Sequence, residues 1–227
     1  NELEIVKALD ALVITITPYH SNLSPNDFES CQDKWGGRFL GVIINGMTRY
    51  METRSLACLA PSFNSSAITL FGIIPEDRRL VGVSVRQVAE HLQGRFITSE
   101  TNAENLVEHL MPGGYGMDPA EIYFGLKNHK AVIVRGDRPD VQMAALATDT
   151  ACLVLTKGIA PIEYVQYEAE EKLVPILGVD LDTLEVMDAM NGLIQMASFD
   201  HPLKLKRLMD LLRKHLAWEK LYAKLNL

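Results

Sequence analysis

The 227 residues are 48% apolar and 22% charged, an ordinary globular composition that buries a sizeable core without staples. A formal net charge of −7, with the 22 Lys and Arg mostly scattered, excludes the basic footprint of a nucleic-acid binder. No apolar run reaches the roughly 18 residues needed to span a bilayer, which excludes membrane insertion by a helix.

Extended and helical patterns alternate along the chain. "ALVITIT" (Ala11 to Thr17) is a β-branched run, as expected of a buried strand. Ser24-Pro25-Asn26-Asp27 reads as a helix start, with an N-cap serine, proline at the first helical position and an acid in the first turn. That helix stops at Gly36-Gly37, and "RFLGVIIN" (Arg38 to Asn45) is the next strand. A helix from about Thr48 to Ala60 and a polar loop lead to the strand "ITLFGIIP" (Ile68 to Pro75). Three strands joined by helix-length crossovers predict a parallel α/β sheet.

The pattern restarts near Gly82. Ser84 opens a helix through His91, "RFIT" (Arg95 to Thr98) is a short strand, and a second helix is expected over Thr101 to Leu110. "MPGGYG" (Met111 to Gly116) breaks the chain, and Asp118-Pro119-Ala120-Glu121 has the form of a capping box. Strand "KAVIV", helix Arg138 to Ala147, strand "CLVLT", helix Pro161 to Lys172 and strand "VPILGV" follow. Helices over Thr183 to Met196 and Pro202 to Leu225 close the chain, the last with Leu205, Leu208, Leu212, Leu216 and Leu221 near one side. Packing of that terminal helix on the protein is expected; docking on a larger assembly is the alternative.

Chemistry-bearing motifs are sparse. The GxxxxGK[ST] phosphate loop is absent, as is GxGxxG. Ser84 in "GVSVR" lacks the closing glycine of a nucleophile elbow and stands where a helix cap is expected. His91 and His109 are expected at helix C-termini, and His20 just after a strand, where α/β proteins place ligands. Cys31, Cys58 and Cys152 contain no CxxC pair and are odd in number, which predicts neither a zinc site nor a disulfide framework and fits a reducing compartment. No catalytic residue and no metal ligand is predicted.

The most informative stretch is "VRGDRPD", Val134 to Asp140, between a strand and a helix. One reading makes Asp137 the N-cap of that helix and Asp140 the complement of its dipole. The other turns Arg135 and Arg138 toward an anionic ligand beside the helix N-terminus. The two are compatible. Gly113-Gly114, before another helix start, could turn backbone N–H groups toward an anion.

Three stretches in order, "GIIPEDRRLVGVSVRQVAEHLQGRF" (Gly72 to Phe96), "RGDRPDVQMAALATDTACLVLTKG" (Arg135 to Gly158) and "VPILGVDLDTLEVMDAM" (Val174 to Met190), carry a family resemblance. The chain resembles the BioD-like, DRTGG-domain proteins related to the N-terminal regulatory region of long phosphotransacetylases, and is most similar to stand-alone cyanobacterial members. The resemblance covers almost the entire chain. It implies an α/β protein with a partial parallel sheet of P-loop-like, dethiobiotin-synthetase-like fold over residues 1–82, a DRTGG domain over 83–200 and a C-terminal amphipathic helix over 201–227.

On this resemblance Asn45 aligns with a residue that often reads adenine, and "GIIPED" places Pro75, Glu76 and Asp77 in the following strand and loop. The DRTGG region implies a regulatory or dimerising module that accompanies nucleotide-sensing CBS domains in other proteins. Its expected ligand residues here are Gly113, Gly114, Arg135, Gly136, Asp137, Arg138 and Asp140. Relatives tend to read "TGGDRTD" where this chain has Val134 to Asp140, and the P-loop half of the BioD-like domain and the acyltransferase domain have no counterpart here.

The expected function is therefore a non-catalytic regulatory or scaffolding protein, dimerising through the DRTGG domain and sensing an adenine nucleotide or another anionic metabolite. Two alternatives stand beside it: a fragment of an ATP-dependent BioD/CobQ-like ligase or phosphotransacetylase-family enzyme whose P-loop lies outside these residues, and a structural subunit of a larger assembly. The start at Asn1 rather than Met predicts a fragment, a processed product or a trimmed chain. The expected location is cytoplasmic, or the plastid stroma if a transit peptide preceded Asn1.

Overall fold

β-branched runs flanked by glycine and polar turns form strands wherever both faces can be covered, and the first 77 residues use three of them. The computed structural model describes residues 2–48, 50, 52–114, 120–195, 197–225 and 227. Helix α1 (Glu2–Ala8) precedes strand β1 (Val13–Pro18); α2 (Glu29–Trp35), β2 (Phe39–Met47), α3 (Glu52–Asn64) and β3 (Leu70–Pro75) follow. The three strands form a sheet in the order β1-β2-β3, parallel throughout. Ser24 and Asp27 start the helical stretch as expected: the Ser24 N–H donates to the Asp27 carboxylate at 2.8 Å. A 3-10 turn, Pro25–Phe28, takes the first positions. Val42, Ile44 and Ile73 pack with Phe28, Leu59 and Phe63 on one side of this sheet.

Residues Arg78–Lys204 form the second compact unit. Its elements are β4 (Val83–Ser84), α4 (Val85–His91), β5 (Arg95–Phe96), β6 (Leu106–Val107), β7 (His109–Pro112), α5 (Ala120–Gly125) and β8 (Lys130–Arg135). After them come α6 (Pro139–Leu146), β9 (Thr150–Thr156), α7 (Glu163–Glu171), β10 (Ile176–Gly178) and α8 (Thr183–Gln195). A five-stranded sheet runs β5-β10-β9-β8-β7, with β7 to β10 parallel and β5 antiparallel at the edge; β4 and β6 form a separate antiparallel pair.

Alternation along these strands builds three layers. Ala131, Ile133, Cys152, Val154 and Leu177 meet Val88 of α4 and Val186 and Met190 of α8 on one face. Val132, Val134, Leu153, Leu155 and Ile176 meet Phe124 of α5, Val141 and Ala145 of α6 and Val165 and Ala169 of α7 on the other. The strands are thus buried on both sides, which is why they read as unbroken apolar runs.

Two expected elements differ. The helix expected over Thr101 to Leu110 is instead a turn followed by β6 and β7. His109 is therefore a strand residue, opposite Lys130, rather than a helix C-terminal one. A ten-residue apolar-polar stretch is compatible with either period, and pairing with β8 satisfies that strand's open backbone groups. The terminal helix is also broken, into α9 (Pro202–His215) and α10 (Trp218–Leu225). At the break Leu216 bridges to Gly72, and the Ala217 N–H donates to the Phe71 carbonyl at 2.7 Å. The leucine stripe is accordingly not one inward face: Leu208, Leu212, Leu216 and Leu221 are half-buried while Leu205 is 49% exposed. Residues Leu205–Leu227 belong with Asn1–Asp77 to the first unit, so the chain returns to it after building the second. Residues 115–119, including the Asp118 capping box, lie outside the described residues.

Candidate functional site

Strand β8 ends at Arg135, and the chain turns through Gly136 into α6. The turn is tight: a Cβ at Gly136 would lie 1.9 Å from the Ile159 carbonyl oxygen, so no other residue fits there without backbone movement. Arg135 reaches two residues forward, its Nε donating to the Asp137 carboxylate at 2.9 Å while Nη2 pairs with the second oxygen. Arg138 repeats this with Asp140, through Nε at 2.9 Å and Nη2 at 2.8 Å. Both pairs are bidentate forks, the geometry guanidinium shares with carboxylate and phosphate.

These pairings correct one expectation. Asp137 does not cap α6; Arg138 occupies the N-cap position without a side-chain cap bond. Asp137 is drawn backward by Arg135 because a bidentate ionic partner outcompetes a single amide N–H. The same pairing, and then the nearby positive charges, hold the Asp137 carboxyl below its ordinary range. Arg138 does likewise for Asp140, which sits in the first turn of α6.

Beneath the turn, Gln142 is fully buried. Its Nε2 donates to the carbonyls of Arg135 at 2.8 Å and Gly136 at 3.0 Å, and its Oε1 has no hydrogen-bond partner. The loop after β9 lies close by, since Ile159 abuts Gly136. There Lys157 and Gly158 both adopt left-handed backbone, at φ 66° and 64°, a conformation that costs a lysine energy and clusters at functional turns. Lys157 adds its positive charge to those acting on Asp137. Gly113, after β7, donates its N–H to Ile133 and is packed against Val134 and Val141, whereas Gly114 is exposed and faces open space.

The arrangement gathers Arg135, Gly136, Asp137, Arg138, Asp140, Lys157 and Gly158 around adjacent carboxyl ends of β8 and β9. It offers guanidinium forks, an ammonium and the first N–H groups of α6, all suited to holding an anion. No serine, cysteine or histidine stands among these residues to act as a nucleophile. Sequence reading missed Lys157 and Gly158, whose signal was the Lys-Gly pair directly after an apolar strand, and Gln142, which had none.

The other expected residues belong to the first unit. Asn45 is exposed on β2, between Pro18 and Ile74, and its carbonyl accepts from the Tyr19 N–H at 2.8 Å. Pro75 ends β3, and the Glu76 N–H donates to the Met47 carbonyl at 2.9 Å. Asn45, Pro75 and Glu76 thus sit at neighbouring carboxyl ends of the small sheet, with His20 exposed after β1. Asp77 is already engaged: Arg207 grips its carboxylate, which is 5% exposed.

Among the described residues no group of three or more His, Cys, Asp or Glu is placed to hold a metal ion. No described helix is long and apolar enough to cross a membrane.

The second unit is a three-layered α/β domain with an anion-suited turn at the carboxyl ends of its strands. Residues 87–193 match the DRTGG domain family, and the Gly136 turn lies inside the matched region. About half of the chain is similar to the crystal structure of the CBS and DRTGG domains of the regulatory region of Clostridium perfringens pyrophosphatase, complexed with its activator diadenosine tetraphosphate. The identity is 12% and the TM-score 0.46, with 55% of this chain and 53% of that chain covered. The match therefore spans about half the length of that structure.

Proposed function

We propose that this chain is a cytoplasmic, non-catalytic regulatory protein whose DRTGG domain self-associates and binds an adenine nucleotide or another anionic metabolite at the Gly136 turn. One observation carries the ligand clause: Arg135 and Arg138, on either side of a buried glycine, hold bidentate forks only against carboxylates two residues away. Both pairs are solvent-accessible, and exposed ion pairs contribute little stability. A phosphate can therefore displace the carboxylates from the guanidinium forks at small cost, aided by Lys157 and the α6 N-terminus. The same exchange would release Asp137 and loosen the turn, which gives binding a route to a conformational readout. The first unit is proposed to be the later part of a dethiobiotin-synthetase-like fold, with Asn45, Pro75 and Glu76 marking its adenine side.

Calorimetric titration with millimolar ATP, ADP and AMP tests this reading. Heat is expected with the unaltered chain and is expected to vanish in the Arg135→Ala/Arg138→Ala variant. Absence of heat with every nucleotide, or heat unaffected by the double substitution, removes the ligand clause at this turn.

A further inference from the structure

The helix layer α5–α6–α7 covers one face of the larger sheet and leaves its own outer side open. Ile122 of α5 and the adjacent Leu126 are each 68% exposed, and Tyr164 and Tyr167 of α7 are 62% and 61% exposed. Between them α6 presents half-buried Met143 and Ala144, and its C-cap the small residue Ala147. Four large apolar side chains, two at α5 and two on α7 on either side of α6, are more than scattered surface residues, and such patches mark interaction sites. Around them stand Glu121, Glu163, Glu170 and Glu171, all exposed and none in an ion pair among the described residues. An apolar centre with an unpaired acidic rim fits a partner with an apolar stripe and a basic rim. It disfavours the same face of a second copy, since the carboxylates would then meet one another.

This chain carries such a partner surface itself. The outward side of α9 exposes Leu205 at 49% and Met209 at 51%, with Lys206 and Arg213 flanking them on the same side of the helix. Neither of these two cations has an ion-pair partner among the described residues, whereas Arg207, on the other side, is committed to Asp77.

We propose that α9 of one copy docks on the outer face of the α5–α6–α7 layer of a second copy, with Leu205 and Met209 against Tyr164 and Tyr167 and the α9 cations against the glutamate rim. The proposal rests on the reading of the chain as self-associating and names its contact. One acidic face and one basic helix per chain make the association between unlike surfaces.

Sedimentation equilibrium of the full chain tests it, with far-UV circular dichroism verifying that each variant is folded. The unaltered chain is expected to self-associate. Tyr164→Glu/Tyr167→Glu is expected to weaken association by roughly thirtyfold or more, as for central aromatic anchors. Lys206→Glu/Arg213→Glu is expected to weaken it as well, and its mixture with Glu170→Lys/Glu171→Lys to recover hetero-association. A chain monomeric at all accessible concentrations overturns both this contact and the self-association reading. Association lost on changing the tyrosines but indifferent to the α9 reversal overturns this contact and leaves self-association through the DRTGG domain standing.

Discussion

Arg207 of α9 donates from Nε at 2.7 Å and approaches from Nη2 at 2.6 Å to one carboxylate oxygen of Asp77, 130 positions earlier in the chain. The carboxylate is 5% exposed and the guanidinium about a third exposed. The pair ties the segment after β3 to the returning C-terminal helix within the first unit, so a residue that the sequence suggests for ligand contact has a structural partner.

Removing the carboxylate leaves a partly buried guanidinium without compensation, and breaking buried pairs is strongly destabilising. Because Arg207 retains some access to water, Asp77→Ala is expected to cost about 2 kcal/mol, below the fully buried range. Urea unfolding measures this. A change under about 0.5 kcal/mol, the scatter of ordinary surface substitutions, would show that the pair contributes nothing to stability.

Gly136 and Gly114 offer a matched comparison. A methyl at Gly136 collides with the Ile159 backbone, whereas one at Gly114 meets nothing within 4 Å and needs no left-handed φ. Gly136→Ala is expected to lose about 1–3 kcal/mol through overpacking, and Gly114→Ala to be neutral or to gain up to about 1 kcal/mol from a less flexible unfolded chain. Equal thermal unfolding of the two variants would contradict the tightness of the turn.

Lys130 sits at the start of β8 with no exposed surface, donating to the Asp149 carbonyl at 2.7 Å and the Thr148 hydroxyl at 2.9 Å. Burial lowers its pKa to about 8 from an ordinary 10.5, with Asp149 opposing the shift. The folded state therefore releases this proton before the unfolded state does. Between about pH 8 and 10.5 the unfolded chain binds more protons, so the Lys130 contribution to stability rises with pH, by at most about 1.4 kcal/mol per unit. Chemical denaturation of the unaltered chain and Lys130→Met across this range isolates the term. A stability difference between them that is flat with pH, or of opposite slope, refutes the assignment.

Cys152 is fully buried on β9, and desolvation pushes its thiol up to about 12. Cys58 is exposed and Cys31 half-buried. Since the thiolate is the reactive form, a disulfide exchange reagent at pH 8 is expected to modify Cys58 fastest and to reach Cys152 only after denaturant is added. Rapid native modification of Cys152, located by peptide mass mapping, would show that this sheet opens readily.

Local pattern alone determined most of the strands and the helices between them. β-branched runs buried on both faces have few other conformations open to them, and Ser24 and Ser84 stand where caps are needed. The Ser84 cap is closed by the Gln87 N–H at 3.1 Å and the Gln87 side chain at 2.9 Å. The sequence likewise located the Val134 to Asp140 turn, because glycine and clustered charge between a strand and a helix mark a special conformation. Only the tertiary structure decided that residues 106–112 extend as strands, since a short apolar stretch obeys whichever partner it meets. It decided too that the last helix breaks at Leu216 to reach Gly72, where a Cβ would stand 2.2 Å from the His215 carbonyl oxygen. Pairings such as Arg135 with Asp137, the approach of Ile159 to Gly136, and Asp77 with Arg207 were equally beyond reach. Each depends on which groups the folded backbone brings within reach of one another, and approach in space leaves no periodicity along the chain.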